Sequence, residues 1–436
     1  MRYLSTNDPY LRASLREAVL QGMPADGGLY MPEMLPSLED AFIHSLSKTS
    51  FQEVARHMAG KFMGEDIPAN TLDEIIHSSM DLDVKLYPLT DQLSVLETFH
   101  GPTMAFKDFG ARFMARVMSH LIQGEDRELT ILVATSGDTG SAVASGFLGV
   151  PGIKVVILYP SGKVSPSQEK QLTTQGQNIT ALEVDGSFDD CQRMVKAAFA
   201  DHSLRDQLLM SSANSINIAR LIPQSFYYTW AYGQVANSDN IVDVCVPCGN
   251  FGNITAALIA QKMGLPISHF IAATNANAVF PDYLESGDLE SRPSLHTMSN
   301  AMDVGNPSNL ARIKYLFEND VDAIRSAFSS WSFSDEQTAD MIRRTHAEYG
   351  YVIDPHTAVG LLGMENYRQG IDDQNWQGIV VSTAHPAKFP EQVEPILGQK
   401  IDIPPQLAQY LDRTKVAIPM STTYEEFKSY LIDNLV

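Results

Sequence analysis

The chain has 436 residues, 44% of them hydrophobic and 19% charged, with no low-complexity tract. This length supports two or three domains around a core that needs no covalent staples, and the composition excludes a disordered or fibrous chain. A formal net charge of -21 sets the surface against phosphate backbones and anionic membranes, so nucleic acid is not an expected partner and any anionic ligand needs a local positive site.

The first residues, Met1 to Asp8, show neither the apolar run of a secretion signal nor the basic, acid-poor character of a transit peptide. No stretch approaches the roughly 20 apolar residues of a membrane span, so no membrane association is expected. Cys191, Cys245 and Cys248 are too few for a disulfide framework and fit a reducing compartment. A cytoplasmic protein is the expectation.

Residues 1–80 mix amphipathic helical patterns with a break at Asp26-Gly27-Gly28-Leu29-Tyr30-Met31-Pro32, read as a turn into a short extended piece. Helical stretches follow near 50–62 and 70–80. No catalytic cluster stands out, so 1–80 is read as a small accessory domain. From residue 94 the pattern becomes short apolar runs alternating with helical stretches. The clearest strands lie at 94–99, 130–134, 154–158, 178–182, 241–246 and 378–381. Near-continuous apolar strands separated by helices predict parallel sheets covered on both faces, an α/β architecture with ligands at the carboxyl ends of strands. Residues 81–400 are taken as the core and 401–436 as a C-terminal extension packing on it, with a helix at 422–435 and no motif.

Two predicted strands end in Gly-rich turns opening helices: Ser136-Gly137-Asp138-Thr139-Gly140 and Gly249-Asn250-Phe251-Gly252-Asn253. Successive N–H groups at a helix start suit an anion, although glycines at such turns also serve simple strand–helix packing. The separation of the loops suggests two lobes with a ligand between them. Cys245 and Cys248 end an apolar strand and lack the further ligands of a zinc site or the helix start of a redox pair; they read as buried thiols.

The most unusual segment is His100-Gly-Pro-Thr-Met-Ala-Phe-Lys107-Asp, which sets a lysine among apolar neighbours after a strand and a Gly-Pro turn. Burial would lower the pKa of Lys107 and yield a neutral amine able to attack an aldehyde or remove a proton. Read alone, the segment also fits a solvated lysine at a helix start beside Asp108.

Four blocks, His100-Gly-Pro-Thr-Met-Ala-Phe-Lys107-Asp, Thr135-Ser-Gly-Asp-Thr-Gly140-Ser-Ala, Pro247-Cys-Gly-Asn-Phe-Gly-Asn253 and Ser382-Thr-Ala-His-Pro-Ala-Lys388-Phe, occur in the order found in threonine synthases. The stretch Glu17-Ala-Val-Leu-Gln-Gly-Met-Pro-Ala-Asp-Gly-Gly-Leu-Tyr30 resembles the long bacterial and fungal form of that family. The resemblance implies a fold-type-II pyridoxal-phosphate enzyme with two parallel-sheet α/β lobes, the cofactor in the cleft and a small N-terminal domain. It also implies the chemistry: O-phospho-L-homoserine and water become L-threonine and phosphate by γ-elimination and β-addition, the last step of threonine biosynthesis.

By the same resemblance, Lys107 would carry pyridoxal 5'-phosphate as a Schiff base. Gly249, Asn250, Phe251, Gly252 and Asn253 would hold its phosphate, and Thr383 would bond its ring nitrogen. Ser136, Gly137, Asp138, Thr139 and Ser141 would receive the substrate carboxylate. Asn217 and Arg220, in Asn214-Ser-Ile-Asn217-Ile-Ala-Arg220, would meet the substrate phosphate, with Lys163, Lys170 and Arg312 as further cations for that task. The carboxylates of Asp108 and Asp138 are read as shaping loops. His100, His296, His346 and His385 have no metal-ligand spacing, and no metal is expected; His385 lies near enough to Thr383 in sequence to line the site. A monomer and a homodimer both fit. The rival readings are a phospho-lyase or dehydratase ending at 2-oxobutyrate, an idle protein sensing a phosphorylated amino acid, and a redox protein using Cys245 and Cys248.

Overall fold

The computed structural model describes residues 1–237, 240–371 and 373–436. Three sheets organise it. Arg12–Ser14, Arg2–Ser5 and Tyr30–Pro32 form a small antiparallel sheet at the N-terminus. The Asp26-Gly27-Gly28 turn leads into its last strand as the sequence suggests, with Asp26 Oδ1 accepting from Ser5 Oγ at 2.8 Å and from the Gly28 N–H at 2.9 Å. The helices Leu15–Gln21 and Phe51–Met63 each begin with a capping box, Ser14 with Glu17 and Ser50 with Glu53, which satisfies donors that a helix start leaves open.

A five-stranded parallel sheet runs in the order Ile418–Met420, Ile179–Val184, Ile153–Pro160, Leu129–Ala134, Leu209–Ser212. A six-stranded sheet runs Phe328–Ser332, Ile267–Thr274, Ile241–Pro247, Trp376–Ser382, Leu93–Glu97, Lys85–Pro88, parallel except for the last, edge strand. The interior strands are largely apolar because helices cover both faces: Leu129–Ala134 is buried at every position. All six strands read from the sequence form within a few residues of the expected edges. Ile267–Thr274, whose Ser268 and His269 interrupt the apolar run, and the short strands Leu209–Ser212 and Phe328–Ser332 were not among them.

The N-terminal residues share a hydrophobic cluster with the larger lobe; Phe51–Met63 packs on Gln224–Val235. The C-terminal segment adds the edge strand Ile418–Met420 to the five-stranded sheet and lays the helix Tyr424–Leu435 on Phe188–Ala200. Phe427 and Leu431 are fully buried there among Leu182, Val184 and Cys191. The segment thus closes an otherwise exposed sheet edge. Among the described residues, no helix is long and apolar enough to cross a membrane.

The carboxyl ends of Leu129–Ala134, Ile241–Pro247 and Trp376–Ser382 open on one cleft of about 2500 Å³, which Thr135, Gly249 and Thr383 help to line. Replacing Phe427 with alanine empties the packing of the C-terminal helix and should cost about 3–5 kcal/mol, seen as a lower midpoint in urea unfolding of the lobe. An unchanged midpoint would contradict this packing.

Candidate active site

Lys107 opens the helix Lys107–Leu121. The turn before it is shaped by Asp108, whose carboxylate accepts from the Thr103 N–H at 2.9 Å and the Thr103 hydroxyl at 2.6 Å. Gly101 is required at the close approach, since a Cβ there would stand 2.3 Å from Asp108 Oδ2. Burial pushes the Asp108 carboxyl up to about 6, against its bonds to Thr103. Next to Lys107, the Phe106 N–H donates to the Thr383 carbonyl at 2.9 Å, and Ala105 pairs with Ala384. Backbone pairing therefore fixes Lys107 beside the end of the strand that carries Thr383. The Thr383 hydroxyl lines the cleft and has no partner among the described residues.

The Lys107 side chain is 15% exposed, with Nζ 3.8 Å from Asp138 Oδ2. Burial lowers the pKa of this amine most; Asp138 opposes the shift, and the cations Lys388 and Arg220 reinforce it. Asp138 also reaches beyond its own loop. Its Oδ1 lies 2.6 Å from Lys388 Nζ and accepts from Gln168 Nε2 at 2.9 Å. Burial would raise this carboxyl, but Lys388 and Lys107 beside it outweigh that and hold the group well below the usual carboxylate range.

In the Thr135–Ser141 turn, Thr135 Oγ1 accepts from the N–H groups of Gly137 at 3.0 Å and Gly140 at 2.8 Å. The Ser141 hydroxyl is fully buried and bonds the Gly137 carbonyl at 3.3 Å. Gly137 and Ser141 are thus committed inside the turn rather than open to a ligand, a correction to their expected place. Ser136, Asp138 and Thr139 line the cleft, and the N–H groups of all three have no acceptor among the described residues.

The Gly249–Asn253 turn joins Ile241–Pro247 to the helix Gly252–Lys262, with Phe251 at φ 61°, a conformation non-glycine residues adopt where surroundings enforce it. The N–H groups of Gly249, Asn250, Phe251, Gly252 and Asn253 have no acceptor among the described residues, and all five residues line the cleft. Side chains hold the turn: Asn250 Nδ2 donates to Ser215 Oγ at 2.5 Å, the Ser308 N–H donates to Asn250 Oδ1 at 2.7 Å, and Asn253 Nδ2 donates to the Pro247 carbonyl at 2.9 Å. Gly249 leaves no room for a Cβ, which would stand 2.7 Å from Met302 Cα. An open row of N–H groups at a helix start fits a phosphate.

Arg220 lines the cleft, buried, with Nη1 bonded to the Ala213 carbonyl at 2.5 Å and Nε without a partner among the described residues. Burial lowers its guanidinium to about 10. Asn217 is placed differently from the expectation: fully buried, it caps the helix Ile218–Leu221 and donates to the carbonyls of Val19 at 2.9 Å and Ser212 at 3.2 Å. It supports the loop without facing the cleft. Arg312 spends all five N–H groups on the carbonyls of Tyr30, Ser215 and Ile216 and on Asn309 Oδ1, so it has none left for phosphate. Lys170 bonds the Arg413 carbonyl instead. Lys163 does line the cleft.

His385 is not on the cleft wall; its ring nitrogen accepts from the Ala387 N–H at 3.1 Å, and burial pushes its pKa down to about 4. His100 pairs with Glu97 and His296 with Asp303, while His346 meets Gln399. Three residues in or just behind the cleft wall escaped the sequence reading: Gln168 and His356 line it, and Lys388 stands behind Asp138. Lys388 sits inside a quoted block without a role. Gln168 looks like a helix-capping residue, which it is. His356 follows an Asp-Pro helix start: its Nε2 accepts from the Ala301 N–H at 3.2 Å, so Nδ1 donates to Asp354 at 2.5 Å. That contact anchors the Asn300–Met302 turn against Gly249. Cys245 and Cys248 are buried, and burial raises both thiols, which removes the thiolate a redox pair needs.

Residues 88–383 match the family model described as pyridoxal-phosphate dependent enzyme. Residues 2–80 match threonine synthase N terminus and residues 357–431 match threonine synthase, C-terminal. A threonine synthase of Serratia marcescens is 40% identical over 433 residues, covering 99% of each chain. The chain belongs to the threonine synthase family. A threonine synthase crystal structure from Escherichia coli superposes with a TM-score of 0.91 at 39% identity, covering 99% of this chain and 100% of that one. A PLP-bound threonine synthase from Brucella melitensis gives 0.94 at 34% identity, over 100% and 99% of the respective chains. Membership makes the protein a fold-type-II enzyme that uses pyridoxal phosphate, and the Gly249–Asn253 cradle, the buried Lys107 and the Thr383 hydroxyl are chemically suited to that group.

Gly249→Ala forces a methyl onto the backbone at Met302 and Ala301. Cofactor affinity should fall at least about tenfold, ~1.4 kcal/mol, in titration of apoenzyme followed by visible absorption. Affinity equal to wild type would remove the turn from the cofactor site.

Proposed function

We propose that the protein converts O-phospho-L-homoserine and water to L-threonine and phosphate, with Lys107 as the cofactor lysine and catalytic base. One observation carries the reading: a buried amine lies in a cleft with three sets of anion-accepting groups, contributed by separate segments of the chain. Gly249–Asn253 suits the cofactor phosphate and the N–H groups of Ser136, Asp138 and Thr139 suit a carboxylate. Arg220, with Ser215 and Lys163 on the same cleft wall, suits a substrate phosphate. In a chain of net charge -21, such local sites are what an anionic substrate requires.

Pyridoxal phosphate supplies an electron sink for charge released at the substrate's Cα. The protein's part is to hold and move protons. Lys107 Nζ, whose pKa burial lowers, would take the Cα proton once the substrate amine holds the cofactor in its place. A Cβ proton would pass to a base in the cleft as the γ-phosphate leaves toward Arg220. Once Cγ is protonated, water would add its hydroxyl at Cβ, the protons withdrawn from Cα, Cβ and that water going to Cγ, Cα and the departing phosphate; Lys107, having given up its proton, would be free to hold the cofactor again.

Release before water adds would yield 2-oxobutyrate, so the cleft must control solvent. The 295–305 segment on its wall is pinned by Asp303, whose Oδ1 accepts from Thr297 Oγ1 at 2.7 Å and Asn275 Nδ2 at 2.9 Å. We place the reaction in the cytoplasm, in a monomer or homodimer. Residues 1–80 serve as an accessory domain, 81–400 as the catalytic core and 401–436 as an extension that completes one lobe.

Purified enzyme given O-phospho-L-homoserine should release threonine and phosphate in equal amounts; 2-oxobutyrate as the main product would indicate a lyase. Arg220→Met removes a charged hydrogen-bond donor and should raise KM for this substrate on the order of 10–100-fold with cofactor absorption retained. An unchanged KM would dissociate Arg220 from the substrate phosphate.

A further inference from the structure

Lys388 ends a short 3-10 turn, Pro386–Lys388, just beyond the strand Trp376–Ser382 of the six-stranded sheet. Its partner Asp138 opens the helix Asp138–Phe147, which follows the strand Leu129–Ala134 of the other sheet. Their contact therefore spans the two lobes. Lys388 Nζ is 2.6 Å from Asp138 Oδ1 and 2.8 Å from the Thr103 carbonyl, and its side chain is 0% exposed. Lys388 does not line the cleft, whereas Asp138 and Lys107 do.

A carboxylate 3.8 Å from the Lys107 amine would, acting alone in a buried site, favour the ammonium. An ammonium cannot attack the cofactor aldehyde or remove a proton. We propose that Lys388 is a positioning residue: a fixed counter-cation that neutralises Asp138 and so leaves Lys107 unprotonated for cofactor attachment and proton transfer. Asp138 then steers the amine by geometry without capturing a proton for it. The other charged group acting on Lys107 is Arg220, which also disfavours the ammonium; Asp108, next on the helix, turns its carboxylate to Thr103. Lys388 itself faces Asp138, Asp108 and His385, and of these Asp138 alone makes a direct ion pair with it.

The inference rests on Lys107 being the cofactor lysine. Its test is the pH dependence of Lys107 in full-length apoenzyme, read in two ways: the rate of cofactor attachment by visible absorption, and labelling by trinitrobenzenesulfonate quantified on the Lys107 peptide. Wild type should titrate below the ordinary lysine value. Lys388→Met should move the midpoint up by about 1–3 pH units, because Asp138 is left to pair with Lys107. The double variant Lys388→Met, Asp138→Asn removes both charges, a change that buried pairs tolerate better than loss of one partner, and should return the midpoint to within a unit of wild type.

An unmoved midpoint in folded Lys388→Met would overturn the proposal, since a purely structural lysine predicts lower thermal stability with no titration shift. If the single variant does not fold, the double variant decides: a midpoint displaced by more than a unit overturns it, and one close to wild type supports it. Cofactor attachment at another lysine in wild type would contradict the assignment of Lys107, a failure distinct from an unmoved profile with attachment at Lys107.

Discussion

A lysine amine reacts with an aldehyde only when it carries no proton, and the site is built around keeping Lys107 in that state. Burial supplies most of the shift. It would be undone by the nearby Asp138 if that carboxylate lacked a closer cation, and Lys388 is that cation. The surrounding turn has the same purpose. Asp108, gripped by Thr103 and given space by Gly101, fixes the start of the helix, and the Phe106–Thr383 bond ties it to the neighbouring strand. The lysine is thus held by backbone geometry at the ends of two neighbouring strands of the six-stranded sheet, which limits how far its amine wanders from a substrate Cα.

The second constraint is anion binding in an acidic protein. Little of it falls to exposed cations. It is met by N–H groups left unpaired at helix starts, those of Gly249–Asn253 and of Ser136, Asp138 and Thr139, which add positive potential at fixed points without altering the surface charge. Buried arginines support this framework in different ways. Arg220 keeps donor capacity toward the cleft. Arg312 is consumed by carbonyls and joins Tyr30 of the N-terminal region to the Ser215–Ile216 backbone, so the N-terminal residues help to hold the wall on which the substrate phosphate is proposed to lie.

Much of this was legible before the structure. Interior parallel strands are apolar at nearly every position and announce themselves, and Gly-rich turns after them mark where ligands go. Lys107 stood out because a charged residue interrupts an apolar run. Side-chain direction was not legible. Asn217 and Ser141 carry the right chemistry in the right loops, yet their amide and hydroxyl turn inward to carbonyl groups, a choice made by packing rather than by residue type. Lys388 and Gln168 matter only through a partner far away in sequence, Asp138, and no local pattern reports such a meeting. The edge strand Ile418–Met420 was missed because three residues with a central proline lack any period; their pairing depends on the exposed edge of Ile179–Val184.

Two buried lysines stand within reach of the same carboxylate, and the account assigns the covalent role to one of them. The most direct test is borohydride reduction of the holoenzyme followed by peptide mapping. Reduced phosphopyridoxyl on the peptide containing Lys107, with Lys388 unmodified, is the predicted result. The label on Lys388, or on any other lysine, would contradict the assignment and the site chemistry built on it.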